Sequence, residues 1–154
     1  MRSFPAALLV ALTAFAPPAA GQPQRPDAAV AAAQNFLAAV RRGDCNKAWS
    51  YFSAATQIYI EQKSQEMIRS APYYADSFSP RNLYCKPTSV HRFHGYDPKS
   101  ARLHAKDGAN AVVALDRHEG AGFRLPGFFP TRTEIFPAEL QLVQESGAWK
   151  IVLP

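Results

Sequence analysis

Hydrophobic residues follow two different periodicities along this chain, and the change falls near Asn82. Before this point, apolar side chains recur at every third or fourth position, which is the spacing of one face of an α-helix. After it, short runs rich in β-branched and aromatic residues alternate with turn residues, which is the pattern of β-strands. Helices followed by consecutive antiparallel strands form the α+β arrangement, in which the helices cover one face of the sheet. The sequence therefore predicts an α+β fold.

Three helices are predicted in the first half of the chain. Asp27 and Asp44 are favourable N-caps for the first two, and Gly43 is a favourable stop because glycine adopts positive φ at low cost. Pro72 ends the third helix, since proline lacks the N–H that a helix interior needs. The predicted helices are residues 28–42, a short helix after Asp44 with Cys45 on its buried face, and residues 56–71.

The second half predicts a meander of strands. Asp107-Gly108 is a strong hairpin turn, and residues 145–148 make the last turn. Pro137 indicates a bulge or an edge position within its strand, because it cannot donate to a ladder. The predicted strands are residues 83–96, 101–106, 109–117, 131–144 and 149–153.

The first 21 residues have the organisation of a secretory signal peptide. Arg2 supplies a positive charge, residues 6–16 are apolar, and small residues precede Gln22. The apolar run is too short for a spanning helix, which needs about 20 residues, and no cysteine near the cut would accept a lipid. We therefore expect a signal peptide at 1–21, a flexible lead-in at 22–26 and one domain at 27–154, secreted or periplasmic and without a transmembrane segment.

The charge of the expected mature chain is only mildly basic. The sequence holds 17 Lys and Arg against 12 Asp and Glu, and loss of Arg2 leaves a formal net charge of +4. This balance does not favour a polycationic nucleic-acid binder. A secreted location also argues against nucleic acid as a partner.

Cys45 and Cys85 are the two cysteines of the chain. An isolated pair in an oxidising compartment predicts a structural disulfide. Closing a loop of about 40 residues stabilises a fold by roughly 4 kcal/mol in the chain-entropy description. The alternative is a redox pair, but redox pairs usually have the spacing Cys-x-x-Cys.

The histidines do not form a recognisable metal motif. Two of them are three residues apart, so on a regular strand they face opposite sides of the sheet. A metal site needs several ligands that converge on one ion. We therefore predict no metal and no cofactor, and solvated or singly hydrogen-bonded histidines at His91, His94, His104 and His118.

Asp116 is the carboxylate best placed for acid–base chemistry, because it follows an apolar strand segment. Tyr51 and Tyr59, on the predicted helices, would supply phenol donors to such a site. The alternative is that Asp116 pairs with a surface cation or ends its strand. No pattern in the sequence fixes which face Asp116 occupies.

The segment 120–130 places aromatic residues among glycine and proline, where a polar loop is expected. Phe123, Phe128 and Phe129 have two interpretations. They cover the open mouth of the core, or they form the lip of a ligand pocket or an apolar contact for a partner.

Two segments resemble a known family. Residues 36–44 read FLAAVRRGD and are followed by KAW at 47–49, and the chain closes with ESGAWKI at 145–151. Both resemble the nuclear transport factor 2-like superfamily, also called the cystatin-like cone fold. Its members typically have a first helix that ends in Gly-Asp, a second helix that begins with an alanine–aromatic pair, and a last strand of the form Gly-x-Trp-Lys-Ile.

The resemblance implies a cone, in which a strongly curved antiparallel sheet wraps around three N-terminal helices and leaves a pocket between them. Members use that pocket as an isomerase or dehydratase site, as a small-ligand site, or not at all. Other members use the open sheet face for dimerisation or for protein partners. Enzymatic relatives place an Asp or His in the cone, often with a Tyr as oxyanion donor, but no residue of this chain matches such a site by position.

The leading functional hypothesis is a non-enzymatic, secreted or periplasmic domain that binds a protein partner or a small apolar ligand. The first alternative is a cone-pocket enzyme of isomerase or dehydratase type, with Asp116 as the base. The second is an accessory or immunity-type partner of a secretion or toxin system, which rests on fold analogy alone. A homodimer through the sheet face is compatible with each of them.

Overall fold

The computed structural model describes residues 26–86, 93–119 and 134–153. In these ranges, helices are followed by a four-stranded antiparallel sheet, which confirms the predicted α+β class. The predicted signal peptide and the whole aromatic segment 120–130 lie outside the described residues. The helices are Ala28–Arg41 (α1), Cys45–Ser50 (α2), Ala54–Ser70 (α3) and Ala75–Phe78 (α4), and the strands are Tyr96–Asp107 (β1), Asn110–Glu119 (β2), Glu134–Glu145 (β3) and Ala148–Val152 (β4).

The helices begin at side-chain caps. Asp27 and Asp44 each accept a hydrogen bond from a backbone N–H of the following turn, at 2.8 and 3.0 Å, as predicted. The third helix begins two residues earlier than predicted, because buried Ser53 is its cap and accepts a hydrogen bond from the Thr56 N–H at 3.1 Å. None of the described helices is long and apolar enough to cross a membrane.

The four strands lie in the order in which they occur along the chain. Both predicted hairpin turns are confirmed, at the β1–β2 and β3–β4 connections. The loop of the last turn is Ser146-Gly147, and both residues have positive φ, at 50° and 79°. This conformation matches the right-handed twist of the flanking strands and lets a two-residue loop close the hairpin.

The first predicted strand, residues 83–96, is wrong in most of its described part, because residues 83–86 and 93–95 are turns and only Tyr96 is in a strand. Residues 87–92 lie outside the described residues. Residues 81–86 form turns, in which the Lys86 N–H donates to the Asn82 carbonyl at 3.0 Å. Leu83, Tyr84 and Cys85 are all buried. This apolar run is therefore an enclosed turn, without the alternation of buried and exposed side chains that a strand with one covered face has. Phe93–Gly95 form a 3-10 turn. Strand β1 begins at Tyr96 and includes residues 97–100, which separate two strands in the sequence-based prediction.

Pro137 lies at an edge position and does not form a bulge. It pairs with Asp116 in a β2–β3 ladder that has no register shift. The Gln144 N–H donates to the Ala109 carbonyl on the β2 side at 2.7 Å, and backbone groups alternate between the two neighbours of a strand. Odd-numbered residues of β3 therefore face the β4 side, where β4 pairs with residues 141–145. In the described part of the chain, Pro137 thus faces an open edge and interrupts no ladder bond.

The main core lies between α1 and the sheet. Helix α1 packs against β1, β2 and β4. Its fully buried side chains include Ala33, Phe36, Leu37 and Val40. The sheet contributes alternating residues, among them Val113, Leu115, Leu142 and Ile151, each at most 2% exposed.

The link between α2 and α3 runs beside β4 and pairs with it. The Ile151 N–H donates to the Tyr51 carbonyl at 2.7 Å, and the Ser53 N–H donates to the Ile151 carbonyl at 2.9 Å. These two bonds form a parallel bridge between Phe52 and Ile151. The Leu153 N–H also donates to the Thr56 hydroxyl at 3.2 Å. The helical half of the chain is thereby hydrogen-bonded to the edge of β4.

The predicted disulfide is present in the structure. It joins Cys45, at the start of α2, to Cys85, in the turn after α4, with 5.4 Å between the two Cα atoms. It therefore ties the buried turn of residues 81–86 to the helices.

An ion pair joins the beginning of α1 to the end of β1. The Lys106 ammonium lies 2.9 Å from an Asp27 carboxylate oxygen and 5.2 Å from the centre of the Trp149 ring. The hydrogen bond from Lys106, followed by the bond from the Ala29 N–H, holds the pKa of the Asp27 carboxyl below its ordinary value. Asp27 thus combines a helix cap with a contact between helix and sheet.

Asp27→Asn should keep the cap, since asparagine caps as well as aspartate, and should remove the ion pair. A lowered carboxyl pKa contributes stability that is present above pH 4 and is lost as the pH falls through the folded-state pKa. We expect a loss of at most about 1 kcal/mol at pH 7, because the pair is partly exposed. Urea unfolding at pH 7 and pH 3 should show this loss shrinking at the lower pH.

Asp44→Asn is the matched control, because Asp44 also caps a helix but forms no ion pair with any described residue. It should change stability little at either pH. An Asp27→Asn effect of equal size at both pH values would contradict the assignment.

Candidate functional site

A cavity of about 230 Å³ lies where β4 ends and β3 continues. It is bounded by α3, the turn of residues 81–86, the 3-10 turn before β1, and the two strands. Its lining residues are Tyr59, Tyr84, Phe93, Tyr96, Glu139, Leu140, Gln141, Val152 and Leu153.

Aromatic rings form much of the cavity wall. The Phe93 ring centre lies 6.4 Å from that of Tyr84 and 5.5 Å from that of Tyr96, with the planes tilted in both pairs. Tyr84 and Phe93 are each 4% exposed. These separations are typical of favourable aromatic contacts, so the wall is packed and preformed.

The turn that carries Tyr84 is held from two sides. Cys85, the next residue, is bonded to Cys45 of α2. A ring nitrogen of His94 lies 2.8 Å from the Cys85 carbonyl oxygen and donates to it. His94 follows Phe93 directly, so the disulfide and this hydrogen bond fix the two aromatic walls relative to each other.

A pair of phenols supplies the polar side chains of the cavity. Tyr59 and Tyr84 both line the cavity, and their side chains interact. Burial, followed by the neighbouring Tyr59, raises the pKa of the Tyr84 hydroxyl above its ordinary value. The Tyr84 hydroxyl therefore stays protonated and uncharged at neutral pH.

Strand β3 also lines this site, through Glu139, Leu140 and Gln141. The backbone of odd-numbered Glu139 points to the side of β4. Gln141, two residues further on, is paired with Val152 on that side. Among the described residues, none pairs with Glu139 there.

Of the predicted site residues that the structure describes, it brings Tyr59 to the cavity but not Tyr51 or Asp116. Tyr51 is partly buried, and its ring lies 6.5 Å from that of Phe36 in the core. Asp116 is on the sheet face away from α1, because it alternates with buried Leu115. Its carboxylate lies 3.5 Å from the Arg102 guanidinium, which is the surface-cation pairing given above as the alternative.

The remaining predicted residues are distributed over the chain. Phe123, Phe128, Phe129 and His91 lie outside the described residues. His104 lies 3.8 Å from a Glu139 carboxylate oxygen, and His118 is exposed. In the ranges that the structure describes, no three His, Cys, Asp or Glu residues are arranged to hold a metal ion.

Sequence reasoning missed Tyr84, Phe93 and Tyr96 as a set. All three fall within the segment predicted as one strand, on which they would not converge on one cavity. The available signal was an aromatic residue, Tyr84, directly before Cys85. A disulfide between a helix and a turn fixes the side chain that precedes the cysteine in the turn.

Comparison of the chain with protein-family models, with curated proteins and with solved structures finds no match.

Tyr84→Phe should remove the phenol that ionises last when the protein is titrated with base. A raised phenol pKa contributes stability that is present below pH 10 and is lost as the pH rises through the folded-state pKa. Ultraviolet absorbance of the phenolate, measured against pH, should therefore lose its latest component in the variant. Tyr73→Phe is the control, because Tyr73 is fully exposed, and it should leave that component in place. Unchanged late ionisation in Tyr84→Phe would show that Tyr84 is not shielded.

Proposed function

We propose that this chain is a secreted or periplasmic, non-enzymatic binding domain of the nuclear transport factor 2-like type, and that it takes a small apolar ligand in the Tyr59–Tyr84 cavity. The observation that carries the proposal is a cavity with aromatic walls and two phenol side chains between the helices and the sheet. In this proposal the sheet curves around the helices as a cone, and the cavity is the pocket of that cone. The resemblance of the Gly43-Asp44 cap and of the last strand supports the family.

The size of the cavity limits the ligand. A cavity of about 150 Å³ holds a benzene molecule, and pockets for drug-sized ligands begin at about 300 Å³. A cavity of about 230 Å³ therefore suits a compound with one ring and a short substituent. Burial of such a ring against aromatic walls supplies the affinity, and the phenols orient its polar group.

The placement of carboxylates favours binding over the isomerase or dehydratase alternative. Proton transfer needs an acid or base within hydrogen-bond reach of the reacting atom. Among the described lining residues the only carboxylate belongs to Glu139, and its side chain is 57% exposed and directed to His104. Asp116 lies on the other face of the sheet.

The experiment is a binding screen with single-ring compounds, measured by ligand-observed NMR and by the shift in melting temperature. Leu153→Trp should fill the cavity and abolish binding, because Leu153 lines it. Leu103→Trp is the matched control on β1, where Leu103 is 41% exposed and does not line the cavity. It should bind as the original protein does.

Two results would contradict the proposal. One is the absence of binding by any single-ring compound at millimolar concentration. The other is equal loss of binding in both tryptophan variants, which would place the ligand elsewhere. Conversion of a bound compound to a new product would support the enzyme alternative instead.

A further inference from the structure

A second cavity opens between α2, α3 and the turn that follows α4. Its volume is about 230 Å³, and we call it the Trp49 cleft after the first of its lining residues, which are Trp49, Glu61, Ser79, Pro80 and Arg81. Glu61 lies two residues after Tyr59, and two residues rotate an α-helix by about 200°. The Trp49 cleft and the Tyr59–Tyr84 cavity therefore lie on different sides of α3, and they share no described lining residue.

The Trp49 ring is held in place by its neighbours. Its centre lies 6.2 Å from that of the Phe52 ring, with the two planes at 76°. The Gln57 side-chain amide donates to the Trp49 carbonyl at 3.0 Å. The Trp49 side chain is partly buried against the core, so the indole presents a fixed apolar surface to the cleft.

Another wall of the cleft is a hydrogen-bonded turn. The Ser79 carbonyl accepts from the N–H groups of Asn82 and Leu83, both at 2.9 Å. The Arg81 guanidinium donates to the Asn46 side-chain oxygen at 2.6 Å. This bond connects the guanidinium to α2.

The cleft holds two opposite charges that do not pair with each other. Among the described residues, Glu61 has no ion pair and no side-chain hydrogen bond. The residues one turn away from it on α3, at 57, 58, 64 and 65, include no Lys or Arg. Arg81 uses one of its five N–H donors in the bond to Asn46. A carboxylate and a guanidinium thus both remain available to a ligand.

Two uncharged donors also line the cleft. Within the part of the chain that the structure describes, the Trp49 indole N–H and the Ser79 hydroxyl form no hydrogen bond. Neither is a buried polar atom without a partner, so both are open to solvent. They can donate to a ligand without changing the net charge of the cleft.

We propose that the Trp49 cleft binds a small zwitterion, an α-amino acid with an aliphatic side chain. The Arg81 guanidinium donates to the ligand carboxylate, and the Glu61 carboxylate accepts from the ligand ammonium. The Trp49 ring covers the aliphatic side chain and attracts the neighbouring ammonium. This site goes beyond the proposed function, because it takes a doubly charged ligand at a different cavity.

The two charges of the cleft disfavour ligands with a single charge. A lone anion is attracted by Arg81 and repelled by Glu61, and a lone cation meets the reverse. A neutral compound leaves both residues without a partner. An α-amino acid supplies an opposite charge to each of them.

L-Valine is the test compound, because it is slightly larger than the benzene that a cavity of about 150 Å³ holds. Its matched analogues are 3-methylbutanoate, which lacks the ammonium, and 2-methylpropylamine, which lacks the carboxylate. An exposed ion pair contributes up to about 1 kcal/mol, which is about fivefold in Kd. Calorimetry or NMR titration of the purified protein at low salt should therefore show valine binding at least about threefold more tightly than either analogue.

Two substitutions assign the two ends of the ligand. Glu61→Gln should remove the advantage of valine over 3-methylbutanoate, and Arg81→Gln should remove its advantage over 2-methylpropylamine. Both residues are exposed, so the melting temperature of each variant should stay close to that of the original protein. Glu66→Gln is the matched control on α3, because Glu66 is exposed, pairs with Lys63 and does not line the cleft. It should keep both preferences.

The indole N–H resonances of the protein locate the ligand without any substitution. The chain has two tryptophans. Valine should shift the Trp49 indole resonance, which lies at the cleft. The Trp149 indole is the internal control, because Trp149 is buried on β4 beside Lys106.

The outcomes decide the proposal independently of the aromatic cavity. Equal affinity for valine and its two analogues, or tighter binding of either analogue, would overturn it. Equal shifts of both indole resonances would also overturn it, as would the absence of valine binding at millimolar concentration. None of these results bears on the Tyr59–Tyr84 cavity, which is tested with uncharged ring compounds.

Discussion

The hydrogen bonds between the α2–α3 link and Ile151 hold the two halves of this fold together. They place Phe52 beside the last strand, and its ring then lies 5.2 Å from that of Phe36 on α1. The same link positions the cap of α3, because Ser53 both donates to Ile151 and accepts from Thr56. The position of α3, and with it Tyr59, depends on a link that runs alongside the edge of β4 as a further strand would.

The cavity depends on covalent and local constraints as much as on the core. Tyr84 lies on a turn with no regular structure, and such a turn would fluctuate if it were held by packing alone. The disulfide anchors it to α2, and the His94 hydrogen bond connects it to the turn that carries Phe93. A preformed cavity avoids the cost of ordering its walls when a ligand binds.

The sequence was sufficient to predict the elements whose signals are local. The caps at Asp27 and Asp44, the two hairpin turns and the disulfide each depend on a few neighbouring residues.

The buried turn at Leu83–Cys85 was misassigned, because a consecutive apolar run looks the same in an enclosed turn and in a buried strand. The cavity could not be predicted, since residues of α3, β3 and β4 and of two turns form it. Which of these residues meet depends on how the strands pair. The role of Asp116 stayed open between a pocket base and a surface ion pair, because alternation alone does not say which face of a strand is covered.

Pro137 limits the pairing of a further strand with β3. Positions 135, 137 and 139 present their backbone to the side of β3 on which no described residue pairs with them, and the middle one has no N–H to donate. A second strand laid along this side would therefore leave one of its own carbonyls unsatisfied, which guards the protein against edge-to-edge aggregation. A single proline in β3 thus discourages polymerisation through this side of the sheet.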